Sequence, residues 1–263
     1  MNSHSALIRV AVLGAAGRMG TAACAAVEGA DDLELVARIG RGDDRDQALT
    51  AGAQVVIDLT VPSVTKDNVL WAIRNGVHAV VGATGWDEDS LSEVRAALAD
   101  APEVGVLIAP NFAIGAVLAM RFAEMAARFY ESAEIIEMHH PNKVDAPSGT
   151  ARHTAAAIAR GREAGGLGPV PDATEKDPQG SRGAVVDGIH VHAVRQRGLV
   201  AHEEIHFGGT GEALTIRHDS FDRVSFMPGV LLGVREVASH PGLTVGLDGY
   251  LGLDDAAASP RQD

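Results

Sequence analysis

Short apolar runs alternate with amphipathic stretches through roughly the first 110 residues. The apolar runs have the length of buried strands, and they lie at residues 7–13, 33–39, 54–59, 78–81 and 104–109. Helical patterns separate them at residues 21–28, 64–75 and 87–99, with Ser63 as the expected cap of the second helix. This alternation predicts a Rossmann-like α/β fold with a doubly wound parallel sheet, in which ligands bind beyond the carboxyl ends of the strands.

The pattern changes after this first part. An amphipathic helix is predicted over residues 114–130, and its apolar side is formed by Ile114, Val117, Leu118, Phe122, Met125 and Phe129. Strand-like runs follow at residues 134–138, 189–195, 202–207 and 212–218, with helices at 151–160 and 228–239 and a long loop at 161–184. Successive strands joined by short turns predict a mixed or antiparallel sheet, and therefore a second domain of the α+β class.

A glycine-rich turn joins the first predicted strand to the first predicted helix. Its sequence, Gly14 to Gly20, reads GAAGRMG. In this setting Gly14 allows a tight turn, Gly17 lets the backbone approach a pyrophosphate, and Gly20 lets the helix pack close to the strand. We therefore expect a dinucleotide to bind here.

The end of the second strand bears on which dinucleotide binds. Sites selective for NAD usually place an acidic residue there, whereas this strand ends between Arg38 and Arg41. Because arginine pairs well with a 2′-phosphate, we predict that NADPH is preferred, with NADH as a second cofactor. The alternative is that both arginines are solvated loop charges.

Residues 137–150 carry the densest cluster of chemistry in the chain. His139, His140 and Lys143 are followed by Ser148-Gly149-Thr150 at the start of an alanine-rich helix. The first turn of a helix binds anions, so proton donors are expected beside a site for a small carboxylate. The alternative is a polar surface loop before an ordinary helix. Asp145 either orients Lys143 or bonds to loop amides.

Composition narrows the partners. The formal net charge of −13 argues against a nucleic-acid surface, and no apolar run reaches the length of a membrane-spanning helix. Residues 1–6 lack the apolar core of a signal peptide, and the single cysteine, Cys24, excludes an internal disulfide. We expect a cytoplasmic protein.

A second histidine pattern suggests a different chemistry. His202 to His206 matches HExxH, and His190 and His192 lie on a neighbouring predicted strand. Zinc proteases need this motif on a helix, whereas this segment has a strand-like pattern. We therefore expect no metal, and a zinc hydrolase is kept as a minor alternative.

Four segments together resemble one known family. They are GAAGRMG, the strand ends GATG (82–85) and APNF (109–112), and above all EMHHPNKVDAPSGT (137–150). They resemble 4-hydroxy-tetrahydrodipicolinate reductases (dihydrodipicolinate reductases) of the actinobacterial type, and the resemblance extends over nearly the whole chain. It implies NAD(P)H-dependent reduction of 4-hydroxy-tetrahydrodipicolinate to tetrahydrodipicolinate, by hydride transfer to ring carbon 4, in diaminopimelate and lysine biosynthesis.

The resemblance also implies an architecture. A dinucleotide-binding domain would comprise residues 1–111 and 223–263. A domain for substrate binding and oligomerisation, residues 112–222, would be inserted between these two parts, and its sheet would build a homotetramer.

The resemblance further assigns roles to particular residues. His139 and Lys143 are implied as proton donors, and His140, Lys143, Gly149 and Thr150 as substrate contacts, to which the helix start adds Ser148. The implied cofactor contacts are Gly14, Ala15, Ala16, Gly17, Arg18, Met19, Gly82, Ala83, Thr84, Ala109, Pro110, Asn111 and Phe112, to which the arginine argument adds Arg41. Two positions depart from the family pattern, because Gly40 replaces the usual acid and Ala83 the usual first threonine of the GTTG strand end.

Two other functions remain open at this point. One is an NADPH reductase of another small imino or keto acid. The other is a non-catalytic NADPH-binding sensor, which would not need His139 and Lys143 together.

Overall fold

The computed structural model describes residues 7–253. Residues 1–6, on which the signal-peptide prediction depends, lie outside this range. The described chain divides into two compact units, one made of residues 7–112 and 226–253 and the other of Ala113–Ser225. The second unit is therefore inserted in the sequence of the first.

Eleven strands and seven α-helices occur among residues 7–253. The strands are β1 (Ile8–Leu13), β2 (Leu33–Ile39), β3 (Val55–Asp58), β4 (His78–Val81), β5 (Gly105–Ile108), β6 (Ser132–His139), β7 (Ala184–Val186), β8 (Ile189–Arg195), β9 (Ala201–Gly209), β10 (Glu212–Ser220) and β11 (Gly242–Val245). The helices are α1 (Arg18–Glu28), α2 (Gln47–Thr50), α3 (Pro62–Arg74), α4 (Glu88–Ala99), α5 (Ile114–Ala126), α6 (Gly149–Ala164) and α7 (Met227–Glu236).

The first unit is built on a parallel sheet with the strand order β11-β5-β4-β3-β1-β2. On one face, strand residues such as Val56 share a core with Val69 of α3 and Val94 of α4. On the other face, α7 lies so close to the sheet that a Cβ added at Gly233 would be 2.8 Å from Leu107 Cδ2. Helices therefore cover both faces, and the predicted doubly wound α/β fold is confirmed.

The second unit contains a mixed sheet with the strand order β10-β9-β6-β8-β7. The β6–β8 pair is parallel and the other pairs are antiparallel. Helices α5 and α6 pack together, and Ala123 and Ala155 share a core with Ile135 and Phe207 of the sheet. The predicted α+β character of this part is confirmed.

The predicted apolar side of α5 is confirmed at Val117, which is buried, but is wrong farther along the helix. Three large residues assigned to it are exposed by 52%, 54% and 82%, respectively: Phe122, Met125 and Phe129. Small residues such as Ala119 and Ala123 are buried instead. A Cβ added at Gly161 of α6 would lie 2.1 Å from the carbonyl oxygen of Glu124. The two helices approach too closely for large side chains at their contact.

Two helix starts differ from the sequence prediction. Ser63 does not cap α3, because Pro62 occupies the first turn and Val61 is the N-cap residue without a side-chain bond. Helix α6 begins earlier than predicted, with Ser148 as its cap. Strand β11 and the short helix α2 were not predicted. Within residues 7–253, no helix combines the length and apolar character needed to cross a bilayer.

Candidate functional site

The glycine turn between β1 and α1 is shaped by its missing side chains. Gly14 has φ +80°, and a Cβ there would lie 2.8 Å from the carbonyl oxygen of Leu59. A Cβ at Gly20 would lie 2.1 Å from the carbonyl oxygen of Gly14. Gly17 is the N-cap of α1 and offers no side-chain cap, so the positive end of the helix dipole faces outward. This geometry fits a pyrophosphate.

A cleft of about 860 Å³ opens beside this turn in the first unit. It is lined by the glycine turn, the segment after β2, and the segment from Leu59 to the first turns of α3. The lining residues include Gly14, Ala16, Gly17, Gly40, Arg41, Asp43, Asp44, Thr60, Ser63 and Asn68. Its volume lies at the upper end of the usual range for cofactor sites, so the residues present fit a dinucleotide.

The segment after β2 carries charges of both signs. The guanidinium of Arg38 is committed to Glu28, with Nη2 and Oε1 2.5 Å apart. Arg41 lines the cleft, exposed. Asp43, which sequence reasoning overlooked, accepts a hydrogen bond from the backbone N–H of Gly40 at 2.8 Å. A carboxylate is therefore present beside the position where the family pattern places its acid.

The ends of β4 and β5 lie side by side in the same unit. The N–H of Ala109 donates to the carbonyl of Val81 at 2.9 Å. A Cβ added at Gly82 would lie 2.7 Å from Leu59 Cδ2 and 3.0 Å from Phe112 Cε2. Around them, Ala83 is buried, whereas Thr84 and Pro110 are exposed and Asn111 is half-buried. Small residues, Gly82, Ala83 and Ala109, thus form these strand ends, and Phe112 packs against Gly82.

The histidine segment lies in the second unit. His139 is the last residue of β6, and its Nδ1 lies 2.6 Å from Oε2 of Glu137. The N–H of Gln196 donates to the carbonyl of His139 at 3.0 Å, which holds the end of the strand. His140 follows directly and is half-buried.

Lys143 lies in the turn after β6. Its Nζ is 2.7 Å from Oδ1 of Asp145, and its side chain is 23% exposed. Burial acts to raise the pKa of Asp145, but the hydrogen bond from Lys143, a backbone hydrogen bond and the positive charges of Lys143 and Arg195 together outweigh burial, and the pKa is lowered. Both interactions considered for Asp145 are therefore present, the contact with Lys143 and a hydrogen bond to the loop backbone.

Helix α6 presents its N-terminus at the end of the same loop. Ser148 is the cap, and its Oγ accepts a hydrogen bond from the N–H of Ala151 at 3.2 Å. A Cβ added at Gly149 would meet nothing within 4 Å, so there is room for a ligand beside the first-turn amides of Gly149 and Thr150. The predicted proton donors and the predicted anion site thus belong to one loop.

One buried carboxylate, Glu137, connects these parts. Its side chain is 1% exposed, and it pairs with Arg195 at 2.7 Å through both oxygens. Burial acts to raise the pKa of Glu137, but hydrogen bonds from His139 and Arg195 outweigh burial and lower the pKa to about 2. Glu137 is therefore ionised at neutral pH.

Two family models match the two parts of the chain. Residues 8–112 match "Dihydrodipicolinate reductase, N-terminus" and residues 115–251 match "Dihydrodipicolinate reductase, C-terminus". The chain belongs to the dihydrodipicolinate reductase family. The family predicted from the sequence is thereby confirmed.

Named relatives agree with this assignment. The chain is 62% identical to 4-hydroxy-tetrahydrodipicolinate reductase of Cutibacterium acnes over 94% of this chain and 100% of the relative. It is 61% identical to the reductase of the same name from Nocardia farcinica, over 94% and 99%. A solved structure, dipicolinate-bound dihydrodipicolinate reductase from Paenisporosarcina sp. TG-14, is similar with a TM-score of 0.81 and 37% identity, over 92% of this chain and 99% of that one.

Sequence reasoning missed three residues of these sites. Glu137 stands two residues before His139, which puts both side chains on one face of a strand, and this spacing is the signal that could have identified it. Arg195 lies opposite His139 only because of the β6–β8 register. Asp43 lies beyond the end of β2, where such an acid is usually expected, so its position in the sequence alone does not reveal it.

The HExxH pattern does not have the geometry of a zinc protease site. His202 to His206 lie in strand β9, not on a helix. His202 Nδ1 lies 2.6 Å from Asp219 Oδ1, and His206 Nε2 lies 3.1 Å from Glu204 Oε2. Across residues 7–253, no group of three or more histidine, cysteine or acidic side chains is arranged to hold a metal ion.

Proposed function

We propose that this chain reduces 4-hydroxy-tetrahydrodipicolinate to tetrahydrodipicolinate with NADPH, in the diaminopimelate route to lysine. The observation that carries the proposal is the loop between β6 and α6. It holds His139, Lys143 and the N-terminus of α6 within twelve residues (139–150), in a chain that belongs to the dihydrodipicolinate reductase family.

The first unit would hold the cofactor, which when bound supplies the hydride. The glycine turn suits the pyrophosphate, from Gly14 to Met19, and the ends of β4 and β5 suit the nicotinamide. We infer a preference for NADPH, because Arg41 is exposed at the cleft and Arg38 is committed elsewhere. Asp43 could accept hydrogen bonds from unphosphorylated ribose, which supports NADH as the second cofactor.

The second unit would hold the substrate and supply the proton. After the substrate loses its hydroxyl group as water, a conjugated imine accepts hydride at ring carbon 4. Negative charge then moves away from that carbon, and a proton must be delivered to the ring. His139 and Lys143 are the donors that we assign, and the ammonium of Lys143 also stabilises the developing charge.

The substrate is a dicarboxylate, and this loop offers donors suited to carboxylates. The amides of Gly149 and Thr150 at the start of α6 suit one carboxylate, and His140 and Lys143 are assigned as further contacts. The predicted contact through the Ser148 amide does not form, because this N–H donates to Oε1 of Glu137 at 3.1 Å. The similar structure named above contains bound dipicolinate, a planar ring with two carboxylates, which supports a ligand of this class.

The proposal includes an assembly and a compartment. By family resemblance the chain forms a homotetramer through the sheet of the second unit. We place the enzyme in the cytoplasm, where a reducing environment suits a chain whose single cysteine, Cys24, is buried.

The decisive experiment is oxidation of NADPH followed at 340 nm. The substrate is generated in situ from pyruvate and aspartate semialdehyde by the preceding enzyme. Wild type is compared with Lys143→Ala and with a matched control, Lys176→Ala, which removes an exposed loop lysine. We expect turnover in wild type and in the control, and a loss of roughly a hundredfold or more in Lys143→Ala.

Other outcomes separate the alternatives. Turnover of wild type with an unaffected Lys143→Ala would retain the reaction and reject the role of Lys143. Folded wild type that binds NADPH but does not turn over this substrate would reject the substrate, leaving a reductase of another imino or keto acid or a sensor. Activity lost on chelation and restored by zinc would favour the hydrolase.

A further inference from the structure

We propose that Glu137 is the positioning residue of the proton-transfer site: it selects which nitrogen of His139 faces the substrate, and it also fixes the start of α6 where the carboxylate binds. This inference deepens the proposed function and rests on the role assigned there to His139.

The contacts of Glu137 use both of its oxygens. Oε2 accepts hydrogen bonds from Nδ1 of His139 at 2.6 Å and from Nη1 of Arg195 at 2.7 Å. Oε1 accepts hydrogen bonds from Nη2 of Arg195 at 2.7 Å and from the backbone N–H of Ser148 at 3.1 Å. The side chain is fully buried, so water does not compete for these bonds. One carboxylate thus joins the proton donor to the cap of the anion-binding helix.

An ionised carboxylate accepts hydrogen bonds and cannot donate them. Nδ1 of His139 must therefore carry a proton wherever it bonds to Glu137. The nitrogen left to exchange a proton with the substrate is Nε2, in both the neutral and the protonated ring. Without Glu137, these contacts would not prevent the opposite tautomer of the neutral ring. In that tautomer Nε2 carries the proton, and the basic nitrogen is Nδ1, on the side away from the substrate.

Arg195 extends this control to the middle of the loop. Besides pairing with Glu137, its Nη2 donates to the carbonyl of Asp145 at 2.7 Å. The loop that carries Lys143 is therefore held at His139, at Asp145 and at Ser148 through a single ion pair. Holding reacting groups in place before the substrate arrives lowers the entropic cost of the reaction.

A second buried carboxyl group lies beside Glu137 and responds to its charge. Glu203 lies directly opposite on β9, and burial raises its pKa to about 7. Oε1 of Glu203 has no hydrogen-bond partner within the described chain. The hydroxyl of Thr154 donates to the carbonyl of Thr150 at 3.1 Å, and the contact between Thr154 and Glu203 offsets only part of the effect of burial on the pKa of Glu203. Burial and the neighbouring charge of Glu137 both raise the pKa of Glu203, so of the two paired carboxyls Glu137 is the one that ionises first.

The test is the tautomer of His139, read by long-range ¹H–¹⁵N NMR on ¹⁵N-histidine-labelled full-length protein. His139 is assigned from the signals missing in His139→Gln. In the neutral ring of wild type we expect the proton on Nδ1. In Glu137→Gln, whose amide can donate to Nδ1, we expect a shift toward the Nε2-protonated form.

Kinetics of the same proteins provide the second readout. We expect kcat of Glu137→Gln to fall about a hundredfold while the KM for NADPH stays within twofold of wild type. The matched control is Glu134→Gln, which neutralises another carboxylate of β6 that pairs with an arginine, Arg182 at 2.6 Å, and its kcat should stay within twofold of wild type. A merely structural role of Glu137 would change stability and both kinetic constants without changing the tautomer.

Several results would overturn the inference. One is a neutral wild-type His139 that carries its proton on Nε2, and this measurement decides even if Glu137→Gln does not fold. Another is a Glu137→Gln variant with wild-type kcat and an unchanged tautomer. If wild type shows Nδ1 protonated but does not turn over the substrate, the positioning role of Glu137 is supported and the proposed reaction is the part that fails.

Discussion

Glu137 and Glu203 are directly paired residues of β6 and β9, yet the fold shifts the pKa values of their carboxyl groups in opposite directions. The pKa of Glu137 is lowered to about 2, because its bonds to His139 and Arg195 outweigh burial. The pKa of Glu203 is raised to about 7, because burial dominates and few partners offset it. The environment, and not the residue type, decides which one is charged.

This difference predicts how stability depends on pH. Because the pKa of Glu203 is raised from 4.5 to about 7 on folding, its contribution is most favourable below pH 4.5 and is lost as the pH rises through 7. Glu203→Gln should remove this loss. We therefore expect the unfolding free energy of the variant minus that of wild type to be about 2–3 kcal/mol larger at pH 8 than at pH 4.5. Urea titrations at both pH values measure it.

The control for this prediction is Glu175→Gln, which neutralises an exposed glutamate. Its stability should follow wild type at both pH values. Parallel pH profiles for wild type and Glu203→Gln would show that Glu203 is not held neutral in the fold.

The glycine turn predicts a local effect on cofactor binding. Gly20→Ala places a Cβ 2.1 Å from the carbonyl oxygen of Gly14, so the turn must move, and we expect the affinity for NADPH to fall at least tenfold, about 1.4 kcal/mol. Gly29→Ala at the other end of α1 is the control, because its nearest contact would be 3.4 Å. Fluorescence titration with NADPH measures both. Equal affinities would mean that the turn tolerates the displacement.

Cofactor preference should depend on Arg41 and not on Arg38. Arg41→Ala should lower kcat/KM for NADPH about tenfold, the effect of losing one charged contact, and leave NADH unchanged. Arg38→Ala breaks only the ion pair with Glu28, so the ratio of the two efficiencies should stay as in wild type. Steady-state assays with both cofactors decide. If the two variants shift the ratio equally, the assignment of the 2′-phosphate contact fails.

The Lys143–Asp145 contact predicts a small effect beside a large one. Asp145 is 50% exposed, and ion pairs of exposed groups are weak, so Asp145→Asn should lower kcat/KM by less than about tenfold. Lys143→Ala removes a proton donor and should cost about a hundredfold. A loss in Asp145→Asn as large as that in Lys143→Ala would show that Lys143 acts only when it is paired.

Several parts of the site were readable because their signals are local. The strand, glycine turn and helix from Ile8 to Glu28 follow from neighbouring residues, and so does the loop that carries His139 and Lys143. The residues that cap helices also act locally, but two neighbouring residues can both favour a helix start, and the sequence does not show which of them prevails. Ser63 looked like a cap, whereas Pro62 beside it took the first turn of α3.

By itself the sequence determined the class of fold, the family and the loop that carries His139 and Lys143, the proton donors that we assign, because periodicity and motif spacing are properties of adjacent residues. Only the tertiary structure decided which groups meet across strands. The register of β6 with β8 brings Arg195 opposite His139, and the register with β9 brings Glu203 opposite Glu137. It also decided that alanines, and not Phe122 or Phe129, form the buried side of α5. These contacts depend on how closely segments that are distant in the sequence pack together, and no local pattern of residues encodes that spacing.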